Sequence, residues 1–443
     1  MSRPHLQALA VSSGFCKRSS KLKPAAFFDM LFYTVSQKEE ESLSYMVSHL
    51  QSEFGIRIKK QSLDERFNEK SELYVKTVLA EVLSEEFSTL YINKILPCFS
   101  RILIKDSTKF IVPPSLESHY KGFGGDAQLR SKAGVSIQYE YDLKSGKTKE
   151  LTIHSGDRND RADAGETVEN IEKGDLIIRD LGYFSTPVLK RCADKEAFFL
   201  SRLDGTTNVY DANNELISFK KIYASLQKSE QGMTEKEIPV YIGKQTKVPV
   251  RLILQLVPDH IYEKRIRDKT VRSKGQGRGQ LTEETKIRSR FNLFVTNAEE
   301  SQLSTEQIFP LYRLRWQIEL HFKSWKSVFK IDSYKKVKEY RYTTFLYVKL
   351  LLIIVNLQIV YCVQSAFVQS ESDKIKVLSL NKSFKTLKTL FREIHRMFRA
   401  TYHKAKQASL YIQEKLLDNH WLESKKNKLC LPEILQLIAC ISK

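Results

Sequence analysis

The sequence is poor in cysteine, and its few cysteines are scattered. Six occur among 443 residues, and none belongs to a C-x-x-C pair. This pattern supports neither a zinc ribbon nor a disulfide framework. We therefore expect reduced thiols inside a cell. The chain also lacks internal repeats and low-complexity segments.

A long uninterrupted apolar run is absent as well. The most apolar segment, Leu350 to Val363, contains Asn356 and Gln358 and is shorter than the roughly 20 residues of a spanning helix. It is predicted to be a buried core helix. The short apolar run near the start is interrupted by two serines, so no signal peptide is indicated and a cytoplasmic location is expected.

The sequence instead contains abundant apolar residues and an excess of positive charge. Hydrophobic residues make up 42%, enough for a substantial core, and 72 Lys and Arg against 52 Asp and Glu leave a net charge of +20. This balance favours a polyanionic partner such as nucleic acid. An anionic membrane surface would also attract such a chain.

The first part of the chain has helical periodicity from Leu6 to about Leu96. Ser62 and Glu65 have the spacing of a capping box, which predicts a helix start at Ser62. Nearby cations, at 57, 59 and 60, would suit a DNA phosphate at that helix end. A solvated entry into a helical bundle explains the same residues equally well.

Strand patterns begin after Pro97. The expected elements are a strand 101–105 followed by Asp106, a hairpin 135–153 with one wet face, a helix 164–172, and a strand 175–179 followed by Asp180. A β-rich insertion follows from about 195 to 290. It closes with the basic segment Lys264 to Gln280, punctuated by three glycines, which is predicted to be a loop that either tracks a phosphate backbone or is a solvated linker.

The segment Leu311 to Lys330 is the most informative. Projected on one helix at about 100° per residue, its apolar residues form a buried stripe. Beside that stripe runs a polar strip formed by Tyr312, Arg315, Glu319 and Lys326. An Arg315–Glu319 ion pair that only stabilises the helix is the alternative.

Acidic residues that follow strands are typical of sites at the carboxyl edge of an open sheet. If Asp106, Asp180 and Glu319 converge there, the three carboxylates need compensating cations. Two divalent ions about 4 Å apart satisfy them, and oxygen ligands favour Mg²⁺, with Mn²⁺ as a substitute. This arrangement predicts in-line phosphoryl transfer.

The spacing Tyr312-x₂-Arg315-x₃-Glu319-x₆-Lys326 resembles the Y-R-E-K signature of the DDE transposases of the insertion-sequence-four family. Asp106 and Asp180 resemble that family's two catalytic aspartates. The resemblance implies that Asp106, Asp180 and Glu319 are catalytic and hold two Mg²⁺ ions. It implies DNA contacts for Tyr312, Arg315 and Lys326, the transposon's terminal inverted repeats and target DNA as partners, and a homodimer in the synaptic complex without any membrane.

The resemblance also implies an α/β fold: an RNase H-like mixed sheet flanked by helices, with a β-rich insertion and all-α N- and C-terminal regions. The expected boundaries are a helical DNA-binding region at 1–97, core at 98–190, insertion at 191–289, core again at 290–335, and a helical region at 336–443. Family members place an aromatic residue of the insertion against a flipped base. Phe199, Tyr210 and Tyr241 are the candidates, and the sequence does not choose between them.

Other residues and functions compete with this interpretation. Asp157, Asp160 and Asp163 are rival acids, expected to cap or turn the chain. His154 and His321 are expected to be surface or core-edge histidines, because neither belongs to a metal-ligand cluster. A non-enzymatic DNA-binding protein and a hydrolytic metal-dependent nuclease are the alternative functions.

Overall fold

The structure is a computed structural model. It describes residues 2–18, 20–37, 42–84, 96–123, 132–227, 234–275, 277, 279–334, 336–370, 376–423 and 430–441. Residues 85–95 of the predicted N-terminal helical region and Arg278 of the basic segment lie outside the described residues.

Helices dominate both ends of the chain. They are α1 (Arg3–Ser12), α2 (Pro24–Ser36), α3 (Leu43–Phe54), α4 (Lys60–Asp64), α5 (Glu69–Ser84), α6 (Asp160–Thr167), α7 (Thr186–Asp194), α8 (Phe219–Gln227), α9 (Asp259–Gly275), α10 (Glu283–Arg288), α11 (Thr305–Arg313), α12 (Trp316–Ser327), α13 (Glu339–Ser370), α14 (Leu380–Thr389), α15 (Phe391–Arg399), α16 (Tyr402–Asn419) and α17 (Leu431–Ile441). Single 3₁₀ turns span Pro114–Leu116, Val168–Asn170 and Leu181–Tyr183.

Strands occupy the middle of the chain. They are β1 (Ile102–Ile111), β2 (Gly134–Asp142), β3 (Thr148–Ser155), β4 (Leu176–Arg179), β5 (Phe198–Arg202), β6 (Val209–Tyr210), β7 (Glu235–Ile242), β8 (Val248–Leu256) and β9 (Phe291–Thr296). The predicted strands 101–105 and 175–179 are confirmed as the start of β1 and as β4, and the segment from about 195 to 290, predicted to be β-rich, contains β5, β6, β7 and β8.

The chain folds into two compact units. The first comprises residues 1–92, 107–158 and 316–436, and the second comprises residues 93–106, 159–315 and 437–443. Strand β1 contributes its first half to the second unit and its second half to the first.

The second unit contains a mixed sheet with the strand order β1-β4-β5-β9-β8-β7-β6. Strands β1, β4 and β5 are parallel, whereas β5, β9, β8, β7 and β6 are joined by antiparallel pairs. Helices α6, α7 and α8 supply residues to the apolar core that this sheet buries, including Ala164, Leu189 and Phe219. The predicted mixed sheet flanked by helices is confirmed.

The first unit places β3 beside β2 and β2 beside β1. The predicted hairpin is confirmed, with Val135 opposite Ser155 and Tyr139 opposite Leu151. Its expected wet face is wrong for β2, where every residue is buried. Helix α12 covers the apolar face, where the rings of Tyr139 and Trp325 lie 4.9 Å apart. The alternate polar residues are buried as well, and among them Asp142 accepts hydrogen bonds from the backbone N–H groups of Lys144 and Ser145.

The apolar segment 350–363 belongs to a helix longer than expected, α13, which is long and apolar enough to cross a membrane by length and composition alone. Of its most apolar 18-residue window, 78% is buried inside the protein. The side-chain N–H of Asn356 donates within the helix to the carbonyl oxygen of Leu352, at 2.6 Å. The prediction of a buried core helix is confirmed.

The helical character of the N-terminal region is confirmed, but the capping box at Ser62 and Glu65 is wrong. Ser62 lies inside the short helix α4, and Glu65 is the residue after its end. The long helix α5 is instead capped by Asn68, whose Oδ1 accepts from the backbone N–H of Lys70 at 3.0 Å. Ser71 Oγ accepts in turn from the Asn68 N–H at 3.0 Å. The capping interaction therefore involves Asn68, six residues after the predicted Ser62.

The predicted single helix from Leu311 to Lys330 is two helices. α11 ends at Arg313, and α12 begins at Trp316. Between them the N–H groups of Leu314 and Arg315 donate to carbonyls only three residues back, the hydrogen-bond pattern of a 3₁₀ turn.

The expected burial along this segment survives the break. Leu311, Leu314, Ile318, Phe322, Trp325 and Phe329 are all buried. Tyr312, Arg315, Glu319 and Lys326 are half-buried, so the polar strip borders the core as predicted.

The basic segment Lys264 to Gln280 is not a loop over most of its length. It is helical as far as Gly275. Asp259 lies in the first turn, and Arg272 and Lys274 lie in the last, an arrangement of charges that complements the helix dipole.

Candidate active site

Two aspartates follow the last paired residues of the neighbouring parallel strands β1 and β4. Their register runs from Ile102 opposite Leu176 to Lys105 opposite Arg179. Asp180 comes directly after β4, as predicted. Asp106 comes directly after the last pair, although β1 itself continues to Ile111, so the expectation that β1 ends before Asp106 is wrong. Both carboxylates nevertheless lie at the carboxyl edge of the parallel pair.

One guanidinium lies between these two carboxylates. Arg315 Nη1 donates to Asp106 Oδ2 at 3.2 Å, and its Nε is 3.7 Å from Asp180 Oδ1. The side chains of Arg315 and Asp106 are 15% and 19% exposed, whereas that of Asp180 is 45% exposed. One cation therefore compensates both acids, and Asp180 remains accessible to a ligand.

Tyr312 borders the same group. Its hydroxyl donates to the carbonyl oxygen of Arg179 at 3.4 Å, and its ring packs edge-on against Phe294 with centroids 4.9 Å apart. Burial, opposed by Arg315 and reinforced by Asp180, raises the pKa of Tyr312 to about 12. The phenol is therefore neutral at physiological pH and remains a hydrogen-bond donor.

Lys105, the residue before Asp106, is buried in an ion pair that the sequence did not reveal. Its Nζ lies 2.5 Å from Asp163 Oδ2 and donates to Thr167 Oγ1 at 3.0 Å. Asp163 is thereby the buried partner of Lys105, so the expectation that it caps a helix or forms a turn is wrong. The cap of α6 is Asn159, whose Oδ1 accepts from the N–H of Arg161 at 2.8 Å.

Glu319 and Lys326 lie in the first unit, on α12. Glu319 is half-buried in the first turn of this helix. Lys326 Nζ donates to the carbonyl oxygen of Lys109 at 3.2 Å. The structure therefore brings together Asp106, Asp180, Arg315 and Tyr312 within the second unit, and the convergence of Glu319 with the two aspartates stays a prediction.

The two histidines have no metal-ligand surroundings in the part of the chain that the structure describes. His321 is buried, its Nε2 lies 3.3 Å from the Tyr361 hydroxyl, and burial lowers its pKa to about 3. His154 Nε2 lies 2.9 Å from Thr152 Oγ1. His154 is half-buried on β3, whereas His321 is fully buried, so its expected place at the surface or core edge is wrong.

The insertion aromatics differ in exposure. Phe199 belongs to the buried core of the second unit. Tyr210 lies under Lys247, with Nζ 2.8 Å from the ring centre. Tyr241 is 40% exposed. Exposure favours Tyr241 for stacking, and the choice stays a prediction.

The donor chemistry of the aspartate pair fits a hard cation. Among the described residues, no group of three or more His, Cys, Asp or Glu side chains forms a ready metal site. Asp106 and Asp180 still offer adjacent carboxylate oxygens that already share one positive group. Oxygen donors of this kind suit Mg²⁺ or Mn²⁺ better than zinc.

The mixed sheet flanked by helices, with two carboxylates at the carboxyl edge of its parallel strands, is consistent with the class of RNase H-like DDE proteins. The Transposase DDE domain family matches residues 97–357, more than half of the chain. The chain belongs to this family, which confirms the predicted DDE transposase and its RNase H-like fold class.

Named relatives support the same assignment over nearly the whole length. The transposase for insertion sequence element IS231F of Bacillus thuringiensis subsp. israelensis is 34% identical over 363 residues, 79% of this chain and 75% of that protein. The transposase for IS231B of Bacillus thuringiensis subsp. berliner is 32% identical, covering 79% and 76%. The transposase for IS1151 of Clostridium perfringens is 28% identical over 98% of this chain and 93% of that protein.

Proposed function

We propose that this protein binds the terminal inverted repeats of its insertion sequence, cleaves the DNA ends and joins them to target DNA by two-metal-ion phosphoryl transfer. The observation that carries the proposal is the aspartate pair Asp106 and Asp180, held around one guanidinium at the carboxyl edge of two parallel strands. Membership in the Transposase DDE domain family supplies the reaction class.

Asp106, Asp180 and Glu319 would hold two Mg²⁺ ions, for which Mn²⁺ could substitute. Bound Mg²⁺ supplies Lewis-acid polarisation of phosphoryl oxygens and a lowered pKa of bound water. Glu319 joins this set through the spacing of the Y-R-E-K signature, which places it four residues after Arg315.

The chain's own cations and phenol bind and orient the DNA. Arg315 holds the two carboxylates in place and has further N–H donors for a phosphate oxygen. Tyr312, kept neutral by its raised pKa, donates a hydrogen bond rather than repelling phosphate. Lys326, half-buried on α12, contributes a compact positive charge.

DNA is the partner that suits the net charge of +20. A homodimer would bring two transposon ends together, and a bacterial cytoplasm with access to the nucleoid would supply both substrate and target. These assignments rest on the family and on the charge.

The test is strand cleavage and joining with DNA that carries the ends of the element encoding this chain. We expect Mg²⁺-dependent cleavage and strand-transfer products from the wild type, and retained DNA binding without cleavage from Glu319→Gln. Glu306→Gln is the matched control, since Glu306 is an exposed acid in the first turn of α11.

Three outcomes would contradict the proposal. Binding that is unaffected by chelator and never accompanied by nicking identifies a non-enzymatic DNA-binding protein. Cleavage without joined products identifies a hydrolytic nuclease. Full cleavage by Glu319→Gln removes Glu319 from the site.

A further inference from the structure

Basic side chains in the second unit are commonly paired with acids. Such pairs are Arg101 with Asp175, Lys105 with Asp163, Lys173 with Glu196, Arg251 with Glu237, Arg288 with Glu284 and Arg290 with Asp259. The charges of these cations are compensated by the paired acids, so they contribute little net positive charge for binding a ligand.

Other cations that the structure describes in the same unit have no acid partner, and three of these lie together beside strand β9. Within the described residues, Arg202, Arg265 and Lys269 have no carboxylate within ion-pair distance. Arg202 is paired with Phe294 of β9, and the other two cations donate to residues at the start of that strand and just before it. Placing like charges together without an acid costs free energy. Such an arrangement is typical of a site that binds an anion.

The protein holds two of these cations in position with neutral groups. Arg265 Nη1 donates to the carbonyl oxygen of Phe291 at 2.9 Å, and its Nη2 to Asn292 Oδ1 at 2.5 Å. Lys269, one helical turn later on α9, donates to Ser289 Oγ at 2.8 Å. Neutral acceptors fix the side chains and leave their charge uncompensated.

The sheet places this cluster on the face that carries Tyr312. Arg202 on β5 is directly opposite Phe294 on β9, and paired residues of antiparallel strands point to the same face. Phe294 packs against Tyr312 on that face. Asn292, two residues before Phe294, points the same way and receives Arg265.

The electrostatic effects agree with this placement. Burial and the nearby Arg202 lower the pKa of Arg265. Burial, Arg265 and Arg202 lower the pKa of Lys269. Arg202 also acts electrostatically on Tyr312, which borders the aspartate pair.

We propose that Arg202, Arg265 and Lys269 form a second phosphate-binding site, which holds the DNA backbone where it leaves the aspartate pair on the Tyr312 side. This inference rests on the proposed function, because the strand must first reach Asp106 and Asp180. The exposed Arg202 and Lys269 supply donors to the phosphates, and Arg265 strengthens the positive field from beneath.

A phosphodiester strand is the ligand that fits best. Its singly charged groups recur at regular spacing, so one strand can satisfy the guanidinium of Arg315 and continue to the cluster. A free nucleotide or inorganic phosphate would satisfy one point only. Phosphate groups are the same at every base, so contacts of these cations to them would hold the strand without reading its sequence.

The experiment measures the salt dependence of DNA binding for Arg202→Gln/Lys269→Gln in the full chain. Arg265 is left unchanged, because its bonds to β9 stabilise the sheet. The matched control is Lys173→Gln/Lys190→Gln, which removes two exposed charges that are paired with Glu196 and Asp194. Both doubles lower the net charge by two.

We expect the cluster variant to reduce the slope of log affinity against log salt by about 1.4 to 1.8, the value for two lost phosphate contacts. The control should leave the slope within about 0.3 of wild type. Equal slopes for the cluster variant and the control would overturn the inference, since general charge would then explain binding.

A second measurement locates the contact. Neutral methylphosphonates are placed one at a time along the strand flanking the cleaved bond, and binding is measured for wild type and the cluster variant. The inference is supported if a methylphosphonate at particular positions weakens DNA binding by the wild type but not by the cluster variant. The same weakening in both proteins overturns it. A wild type that binds DNA but never cleaves would instead contradict the proposed function.

Discussion

Lys105 and Asp163 form an ion pair in which both side chains are excluded from solvent, with 0% and 1% exposed. Lys105 is the residue before Asp106, at the last position of β1 that is paired with β4, and Asp163 lies on α6. The ion pair, completed by Thr167, therefore ties the helix to the strand position that presents the first aspartate of the site.

Replacing Lys105 by Met should destabilise the protein by about 3–5 kcal/mol, because Asp163 would remain buried without a cation. Urea unfolding followed by circular dichroism measures the loss. Lys105→Met/Asp163→Leu should recover most of it, since an apolar pair of similar volume avoids the uncompensated charge. If the unfolding free energy of Lys105→Met lay within about 1 kcal/mol of wild type, Asp163 would have found another partner.

Acidification should destabilise the first unit through His321. Burial holds its pKa at about 3 in the fold, whereas an unfolded histidine titrates near 6.5. The unfolded chain therefore binds more protons between these values, and the free energy of unfolding falls as pH drops below 6.5. At pH 5 the loss is about 2 kcal/mol, from about 1.4 kcal/mol per pH unit.

The measurement compares unfolding free energies at pH 7 and pH 5 for wild type, His321→Gln and the exposed control His403→Gln. Only His321→Gln should lose this part of the pH dependence. An unchanged dependence in that variant would assign the acid sensitivity to other groups.

Replacing Gly146 by alanine should destabilise the protein more than replacing Gly55, a glycine with a similar backbone conformation. Its φ is +73°, and a Cβ there would lie 2.7 Å from Cδ2 of the Tyr361 ring. Gly55 has φ +67° with no heavy atom near its Cβ position. Both substitutions incur about 1–2 kcal/mol for the left-handed backbone, and Gly146→Ala adds roughly 1–3 kcal/mol of overlap.

Thermal unfolding of the two variants checks this difference. The drop in melting temperature for Gly55→Ala measures the backbone contribution alone, and the additional drop for Gly146→Ala measures the overlap with Tyr361. Equal melting temperatures would mean that the Tyr361 ring moves aside without cost.

The sequence predicted the aspartate pair because strand patterns and their ends are local signals. Asp106 and Asp180 each follow a short apolar run, and the register confirms that pairing stops at Lys105 and Arg179. The continuation of β1 to Ile111 was missed, because Asp106, Ser107 and Thr108 look like a strand end when the neighbouring strand β2 is unknown.

Other features depend on partners far away in the chain. A lysine at position 105 suggests an exposed strand end until Asp163, 58 residues later, is seen to compensate it. The break between α11 and α12 depends on local hydrogen bonds that side-chain periodicity does not report. The glycines at 275, 277 and 279 suggested a loop, whereas the preceding residues form a helix with charges suited to its dipole. The boundaries between the expected domains stay predictions.

The central claim is that Asp106, Asp180 and Glu319 together hold two divalent ions, and counting bound Mn²⁺ tests it most directly. The electron paramagnetic resonance signal of free Mn²⁺ is followed during titration of the full chain with DNA from its element's ends. We predict two bound ions per chain for wild type and for Asp194→Asn, an exposed control. Asp106→Asn, Asp180→Asn and Glu319→Gln should each bind one or none. Two ions in all three variants, or none in the wild type, would contradict the account.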